Sequence, residues 1–338
     1  MAKIAINGFG RIGRLFFREA FGRPDMEIVA VNDLGNIDNL AYLLKFDTVY
    51  RTYSKSVEVK DGNLIVDGKA IRFVSEKDPA KLPWKELGVD VVVESTGAFE
   101  SFEKSNAHIA AGAKRVVITA PAKDADGELG NTVLLGVNEE AMKNVCITSN
   151  GSCTTNATSP VVAILAENPG IEKAFLNTVH AYTATQSIVD APTKGKDFRR
   201  GRAGAQNIAP SSTGAALSVT RAVKDLEGKF DGIAVRVPSI TGSLADITFV
   251  AKRDVTADEI NNILREAADS PRWRGLIVVS DDPLVSSDII GSQTPAIVDS
   301  EFTKVIGGNL VKVLSWYDNE MGYVTTLVGH VARSIASL

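Results

Sequence analysis

The sequence predicts an α/β protein: a doubly wound parallel sheet, followed by an α+β body with a mixed or antiparallel sheet. Short apolar runs alternate with helical spacing as far as Gly151, which is the pattern of a parallel sheet with helices on both faces. A glycine-rich turn, Gly8-Phe9-Gly10-Arg11-Ile12-Gly13, joins the first apolar run to the first helical pattern. After Cys153 the texture changes to longer strand-like stretches. A chain of 338 residues has room for two domains with sizeable cores.

Residues 3–7 read as a buried strand, and 11–21 as a helix with Ile12, Leu15, Phe16 and Ala20 on one side. A second strand follows at 27–32. Residues 56–74 read as short strands with an Asp61-Gly62 turn, an antiparallel addition at the sheet edge. Strands at 89–94 and 115–119 flank a helix at 101–111. In the second half, strands are expected at 174–183, 233–237, 245–251 and 310–317. Helices at 214–225 and 256–268 separate them and cover one sheet face. Residues 320–337 have helical spacing through Val324, Leu327, Val328, Val331 and Ile335. The basic stretch 194–202 reads, on charge alone, as a solvated loop.

Composition narrows the function. Hydrophobic residues make up 44% and charged residues 23%, an ordinary globular balance. A net charge of −4 gives no basic signal, so nucleic acid is not an expected partner. Two cysteines form no disulfide framework, which predicts a reducing, cytoplasmic setting. The start turns glycine-rich too early for a signal-peptide core, and no apolar run approaches the ~20 residues of a membrane span.

The turn at Gly8, Gly10 and Gly13 fits the fingerprint of a dinucleotide site. The first glycine allows the tight turn, the second lets a pyrophosphate approach the backbone, and the third permits close helix–strand packing. The pyrophosphate would rest on the helix N-terminus. Alone, the motif fits any glycine-rich strand–helix turn. Asp33, ending the next strand, can accept hydrogen bonds from a ribose diol and would repel an added 2′-phosphate. NAD is therefore expected over NADP.

Cys153 lies in Gly151-Ser152-Cys153-Thr154-Thr155-Asn156, just ahead of an apolar stretch, where a helix would start. Unpaired N–H groups and the helix dipole at that position favour the thiolate. A thiolate adds to an aldehyde to give a hemithioacetal. Loss of hydride to a nicotinamide leaves a thioester for a second nucleophile. His180 follows a buried strand and is the candidate base. His108 and His330 fall in helical patterns and read as surface or packing residues, and Cys146 reads as buried apolar filling. Ser211-Ser212-Thr213-Gly214 precedes a helical run that it could cap, or it could bind an anion. Arg236 is a charge in an otherwise apolar strand, so it requires a carboxylate or a substrate phosphate.

These motifs together resemble phosphorylating glyceraldehyde-3-phosphate dehydrogenases. The likeness rests on the segments 6–14, 149–156, 180–186, 236–238 and 316–323, in the family's order and across essentially the whole chain. It implies oxidation of D-glyceraldehyde 3-phosphate with NAD and inorganic phosphate to 1,3-bisphosphoglycerate, in glycolysis or its reverse. It implies a Rossmann-type NAD-binding domain at 1–151, rejoined by a helix at 319–338, and a catalytic domain at 152–318. Cys153 matches the nucleophile and His180 the base. Gly8, Gly10, Arg11, Ile12, Gly13, Asp33, Thr96 and Thr119 match dinucleotide contacts, and Asn319 the residue that orients the nicotinamide. Thr183, Thr185 and Arg236 match the site for the substrate's phosphate. Ser152, Thr154, Thr213 and Gly214, with Arg200 nearby, match the site for the attacking phosphate. No metal is implied. A homotetramer is, with the loop at 192–202 packed at a subunit interface. Ala157 stands where many members carry a second cysteine. The rivals are an erythrose-4-phosphate dehydrogenase, a semialdehyde dehydrogenase and a catalytically silent NAD-binding protein.

Overall fold

The computed structural model describes residues 1–193 and 195–338, and they fall into two compact units. The first comprises residues 1–151 and 324–338, the second 152–323.

In the first unit the chain forms β1 (Ala2–Asn7), α1 (Arg11–Ala20), β2 (Met26–Asn32), α2 (Ile37–Lys45), β3 (Val57–Lys60), β4 (Asn63–Val66) and β5 (Lys69–Val74). It continues through α3 (Trp84–Leu87), β6 (Val91–Glu94), α4 (Phe102–Ala110), β7 (Arg115–Ile118), β8 (Gly130–Thr132) and β9 (Ile147–Ser149). The nine strands make one sheet in the order β3-β4-β5-β2-β1-β6-β7-β9-β8. From β5 to β8 every pairing is parallel. Ile4, Ala5 and Ile6 are successive and all fully buried, because both sheet faces are covered. The meander at 56–74 is antiparallel within itself, as expected, but β5 joins β2 in parallel register.

Three elements here, α2, β8 and β9, escaped the periodicity. Helix α2 is short, yet Asn36 caps it by accepting from the Asn39 amide, and Leu40, Ala41 and Leu44 form its buried stripe. Strands β8 and β9 are three residues each, below the length at which alternation can be read.

The second unit contains α5 (Cys153–Glu167), β10 (Ile171–Ala181), β11 (Ala209–Ser212), α6 (Ala215–Ala222), β12 (Phe230–Val237) and β13 (Ser243–Ala251). It continues with α7 (Ala257–Asp269), β14 (Ile277–Ser280), β15 (Ala296–Ile306) and β16 (Leu310–Tyr317). Its sheet is mixed, in the order β11-β12-β10-β13-β16-β15-β14, with β10/β12 and β14/β15 parallel. Burial alternates strictly along β13, so one face is covered and the other is half-open. The covered face lies under α5: Ser315 donates to the Ala157 carbonyl at 3.2 Å. Helix α6 ends at Ala222, three residues short of expectation, and a single 3-10 turn at Lys224–Leu226 follows. Strand β15 was not foreseen. Its register against β16 shifts between Asp299 and Lys304, which breaks the alternation in sequence.

Helix α8 (Met321–Ala336) carries the chain into the first unit from Val324 onward. There His330, fully buried, holds the Asn150 carboxamide at 3.0 Å and the Thr148 hydroxyl at 2.7 Å. Of the basic stretch 194–202, Lys194 lies outside the described residues. The remainder is not simply solvated: it forms a 3-10 turn at Phe198–Gly201, and Arg199 and Arg202 pair with Asp197 and Asp190 at 2.8 and 2.7 Å.

Candidate active site

In the first unit the strand order reverses at β1, which has β2 on one side and β6 on the other. Open parallel sheets bind ligands at the carboxyl ends of strands flanking such a reversal. A cavity of about 420 Å³ lies there, lined among others by Gly8, Gly10, Asp33, Thr96, Lys77 and Phe99.

The glycines divide as their chemistry requires. Gly8 has φ +94°, and a Cβ on it would stand 2.6 Å from the Thr96 nitrogen. A Cβ on Gly13 would stand 2.2 Å from the Gly8 carbonyl oxygen, so α1 packs against the turn only because that position is bare. At Gly10 a Cβ would meet nothing within 4 Å. Packing therefore does not require glycine at this position, and the bare backbone leaves room for a ligand. Gly10 is the N-cap of α1, with no side chain capping the helix and no acid in its first turn. An anion fits such a terminus.

Asp33 braces the turn through both oxygens, accepting from the Phe9 amide at 2.6 Å and the Gly35 amide at 2.7 Å. Each oxygen keeps a second lone pair for a ribose hydroxyl. Arg11 and Ile12 open α1 beyond the cavity lining, and Arg11 pairs with Asp47 at 2.5 Å. Thr119 follows β7, and its amide donates to the Glu94 carbonyl at 3.0 Å.

Glu94 is the residue that sequence reasoning missed. Buried at the end of β6, its carboxylate accepts from the Thr96 amide at 2.8 Å and from Asn7 Nδ2 at 2.5 Å. His108 Nε2 lies 3.0 Å away, and Trp84 Nε1 donates to His108 Nδ1 at 3.0 Å. Since Nδ1 accepts, Nε2 carries the proton and gives it to Glu94. His108 thus holds the strand end that shapes the cavity.

In the second unit, Ser152 is the N-cap of α5 and forms a capping box with Thr155. Cys153 is the first helical residue, and its Sγ lies 3.3 Å from His180 Nε2. Parallel pairing of β10 with β12 sets Arg236 directly beside His180. Arg236 Nη1 donates to His180 Nδ1 at 2.6 Å and to the Ala181 carbonyl at 3.0 Å. Of the two expected partners the carboxylate is not found: among the described residues none pairs with Arg236.

Burial pushes the His180 imidazole down to about 3, and the Arg236 charge adds to that effect. Loss of water pushes the Cys153 thiol up, opposed by Arg236 and by hydrogen bonds from Thr154. Desolvation thus works against the thiolate that the helix N-terminus favours. Cys146 is also corrected: it is exposed, not buried.

Tyr317 links the site in a way that no local pattern announced. Its hydroxyl lies between Thr154 Oγ1 at 2.9 Å and Thr178 Oγ1 at 2.7 Å. Its ring stands edge-on to His180 at 5.9 Å and 76°. Thr183 and Thr185 share a 2.9 Å hydrogen bond, and Arg200 donates to Thr185 at 3.1 Å and to Ser211 at 2.9 Å. Arg200 thus joins the threonines of the expected substrate-phosphate group as well as the strand before Thr213. Thr213 accepts the Ala215 amide at 3.2 Å, and Gly214 is the N-cap of α6. Asn319 receives three donors on Oδ1: the Gly242 amide at 3.1 Å, Ser243 at 3.0 Å and Thr241 at 3.3 Å. That fixes the amide's orientation and leaves Nδ2 as a donor without a partner among the described residues. No metal-holding group of His, Cys, Asp or Glu occurs among the described residues.

A coenzyme-dependent dehydrogenase is the class to which this sheet and this thiol–imidazole pair point. Residues 2–102 match the sequence model of the glyceraldehyde 3-phosphate dehydrogenase NAD binding domain, and 152–319 that of the C-terminal domain. The glyceraldehyde-3-phosphate dehydrogenase of Thermotoga maritima is 50% identical over 97% of each chain. That of Borreliella burgdorferi is 47% identical over 96% of this chain and 97% of its own. That of Streptomyces coelicolor is 47% identical over 96% of each. The chain belongs to the glyceraldehyde-3-phosphate dehydrogenase family, and its coenzyme is NAD.

Proposed function

We infer that this protein oxidises D-glyceraldehyde 3-phosphate to 1,3-bisphosphoglycerate with NAD and inorganic phosphate, through an acyl group carried on Cys153. The observation that carries this is the 3.3 Å approach of Sγ to His180 Nε2 at the start of a capped, buried helix. Cys153 adds to the aldehyde carbon, and His180 takes the proton from the hemithioacetal hydroxyl as the carbon–hydrogen bond breaks. NAD, when bound, accepts the hydride. The thioester left on Cys153 is then attacked by a phosphate oxygen, which expels the thiolate and yields the acyl phosphate.

The first unit serves as the coenzyme-binding body. Gly8, Gly10, Arg11, Ile12 and Gly13 supply backbone to the pyrophosphate, Asp33 takes the ribose diol, and Thr96 and Thr119 line the strand ends. Asn319, with Oδ1 saturated by three donors, offers Nδ2 to the nicotinamide carboxamide. Thr183, Thr185 and Arg236 receive the substrate's phosphate. Ser152, Thr154, Thr213 and Gly214 receive the attacking phosphate, with Arg200, bonded to Thr185 and Ser211, nearby. Two positioned anions convert encounters in solution into near-unimolecular steps. We place the protein in the cytoplasm as a homotetramer. No helix among the described residues is long and apolar enough to cross a membrane.

Steady-state NADH formation from glyceraldehyde 3-phosphate, with phosphate present or omitted, tests this reading. Turnover depends on phosphate, falls by roughly three orders of magnitude or more in Cys153→Ser, and falls by about 10²–10⁴ in His180→Asn. Phosphate-independent release of a free acid would point to hydrolytic chemistry, as in an erythrose-4-phosphate dehydrogenase. Robust turnover by Cys153→Ser would refute the mechanism.

A further inference from the structure

Two stretches of chain wall the cavity of the first unit. One is 76–82, which contributes Glu76, Lys77, Pro79 and Leu82 to the lining. The other is 95–99, which contributes Ser95, Thr96, Ala98 and Phe99. Neither stretch runs within a strand, so no sheet register sets the distance between them.

Both are fastened to the carboxylate of Glu94, each to a different oxygen. Oε1 accepts the Thr96 amide at 2.8 Å and the Thr96 hydroxyl. That hydroxyl in turn accepts the Ala98 amide at 3.0 Å. Oε2 accepts Asn7 Nδ2 at 2.5 Å and His108 Nε2–H at 3.0 Å. From those two groups the other wall is pinned at both ends. Asn7 Oδ1 accepts Asn32 Nδ2 at 2.6 Å, and Asn32 exchanges hydrogen bonds with the Glu76 backbone at 2.9 Å in each direction. His108 Nδ1 accepts Trp84 Nε1 at 3.0 Å, just beyond Leu82. The direction of every bond is fixed. An indole only donates, and the Glu76 and Thr96 backbone groups cannot exchange roles. No amide or imidazole along the path can turn over without two donors or two acceptors meeting. Glu94, Asn7, Asn32, His108 and Trp84 are all buried, where a lost partner is costly.

We propose that Glu94 is a two-sided clamp on the coenzyme site: Oε1 holds one wall, Oε2 holds the other, and their spacing sets the slot that takes the adenosine half of NAD. This rests on the reading that Asp33 takes the coenzyme's ribose diol in this cavity. Leu34, Pro79, Leu82 and Phe99 supply the apolar surface that a purine ring needs beside that ribose. Glu94 lies behind this lining and acts through Thr96 and Asn7, so it is a positioning residue. His108 supports it, and its ring also stands edge-on to Phe99 at 6.3 Å and 78°. The need for a carboxylate follows from its two accepting oxygens. An amide has one, so Glu94→Gln turns a donor toward the donors of one wall.

Calorimetric titration with AMP, which carries adenosine and no nicotinamide, reads the slot without turnover. Glu94→Gln should weaken AMP binding by about ten- to a hundredfold. Two variants of His108 separate the hydrogen bond from packing, and they carry the test if Glu94→Gln does not fold. His108→Gln keeps an N–H near the place of Nε2 and should stay within about threefold of the native affinity, while His108→Leu should fall by about tenfold. In turnover, Glu94→Gln should raise the KM for NAD by the factor lost in AMP affinity, with no matching fall in kcat at saturating NAD. That split marks binding shared by the ground and transition states, and Cys153, His180 and Asn319 belong to the second unit. Native AMP affinity in Glu94→Gln, or equal losses in the two His108 variants, overturns the clamp. Asp33→Asn separates this from the reading beneath it. If Asp33→Asn weakens AMP binding and Glu94→Gln does not, the cavity stands and the clamp alone falls. If neither variant moves AMP binding, the placement of the coenzyme in this cavity falls with it.

Discussion

Cys153 stands under opposed influences. The N-terminus of α5 and the Arg236 charge favour its anion, while loss of water favours the thiol. Asp33 shows the same dependence on context. Its carboxylate braces the glycine turn through two amides while its charge faces the cavity. Asp33→Asn keeps one acceptor oxygen and removes the charge. It should raise the ratio of NADP to NAD kcat/KM by about tenfold, equivalent to ~1.4 kcal/mol of relieved repulsion, and raise the KM for NAD as the brace weakens. Initial rates with each coenzyme check both effects, and an unchanged ratio would remove Asp33 from coenzyme selection.

Among the elements, α8 carries a pH dependence. His330 is fully buried and burial pushes it down to about 3, against an ordinary value of 6.5. The unfolded chain therefore binds a proton at this residue below pH 6.5 that the folded chain refuses until about pH 3. Stability contributed by the neutral ring is complete above 6.5 and is lost as pH falls through that window, on the order of 5 kcal/mol in all. Urea midpoints measured from pH 7 to pH 4 should decline in the native protein. They should decline less steeply, by about one proton's worth, in His330→Gln. Equal slopes would show that other groups govern acid sensitivity.

At the scale of the whole molecule, each unit has its own sheet, and the two sheets differ in how they are covered. The first is buried on both faces along β1, β6 and β7. The second is covered on one, and its other face carries Phe175 and Ile233 at 48% and 44% exposure. The 187–208 loop adds Ile188 at 88% and Phe198 at 79% exposure. Apolar surface of this kind on one chain marks an association surface, which supports the homotetramer proposed above. Light scattering at micromolar concentration should return four times the chain mass, and Phe198→Asp should shift the population toward smaller species. A single-chain mass in the native protein would refute the assembly.

The parallel sheet, the glycine turn with Asp33 and the thiol at a helix start were legible in sequence, because each depends on neighbours within a few residues. Gly8, Gly10 and Gly13 owe their roles to backbone geometry that local order fixes. The partners of the catalytic groups were not legible. Arg236 reaches His180 through the register of two strands 56 residues apart. Tyr317 lies 163 residues from Thr154. Glu94 and His108 reveal themselves only where β1, β6 and α4 converge. Desolvation is likewise a property of the assembled environment. The same cysteine whose charge a helix terminus favours also lies where the surrounding chain excludes water, which opposes that charge.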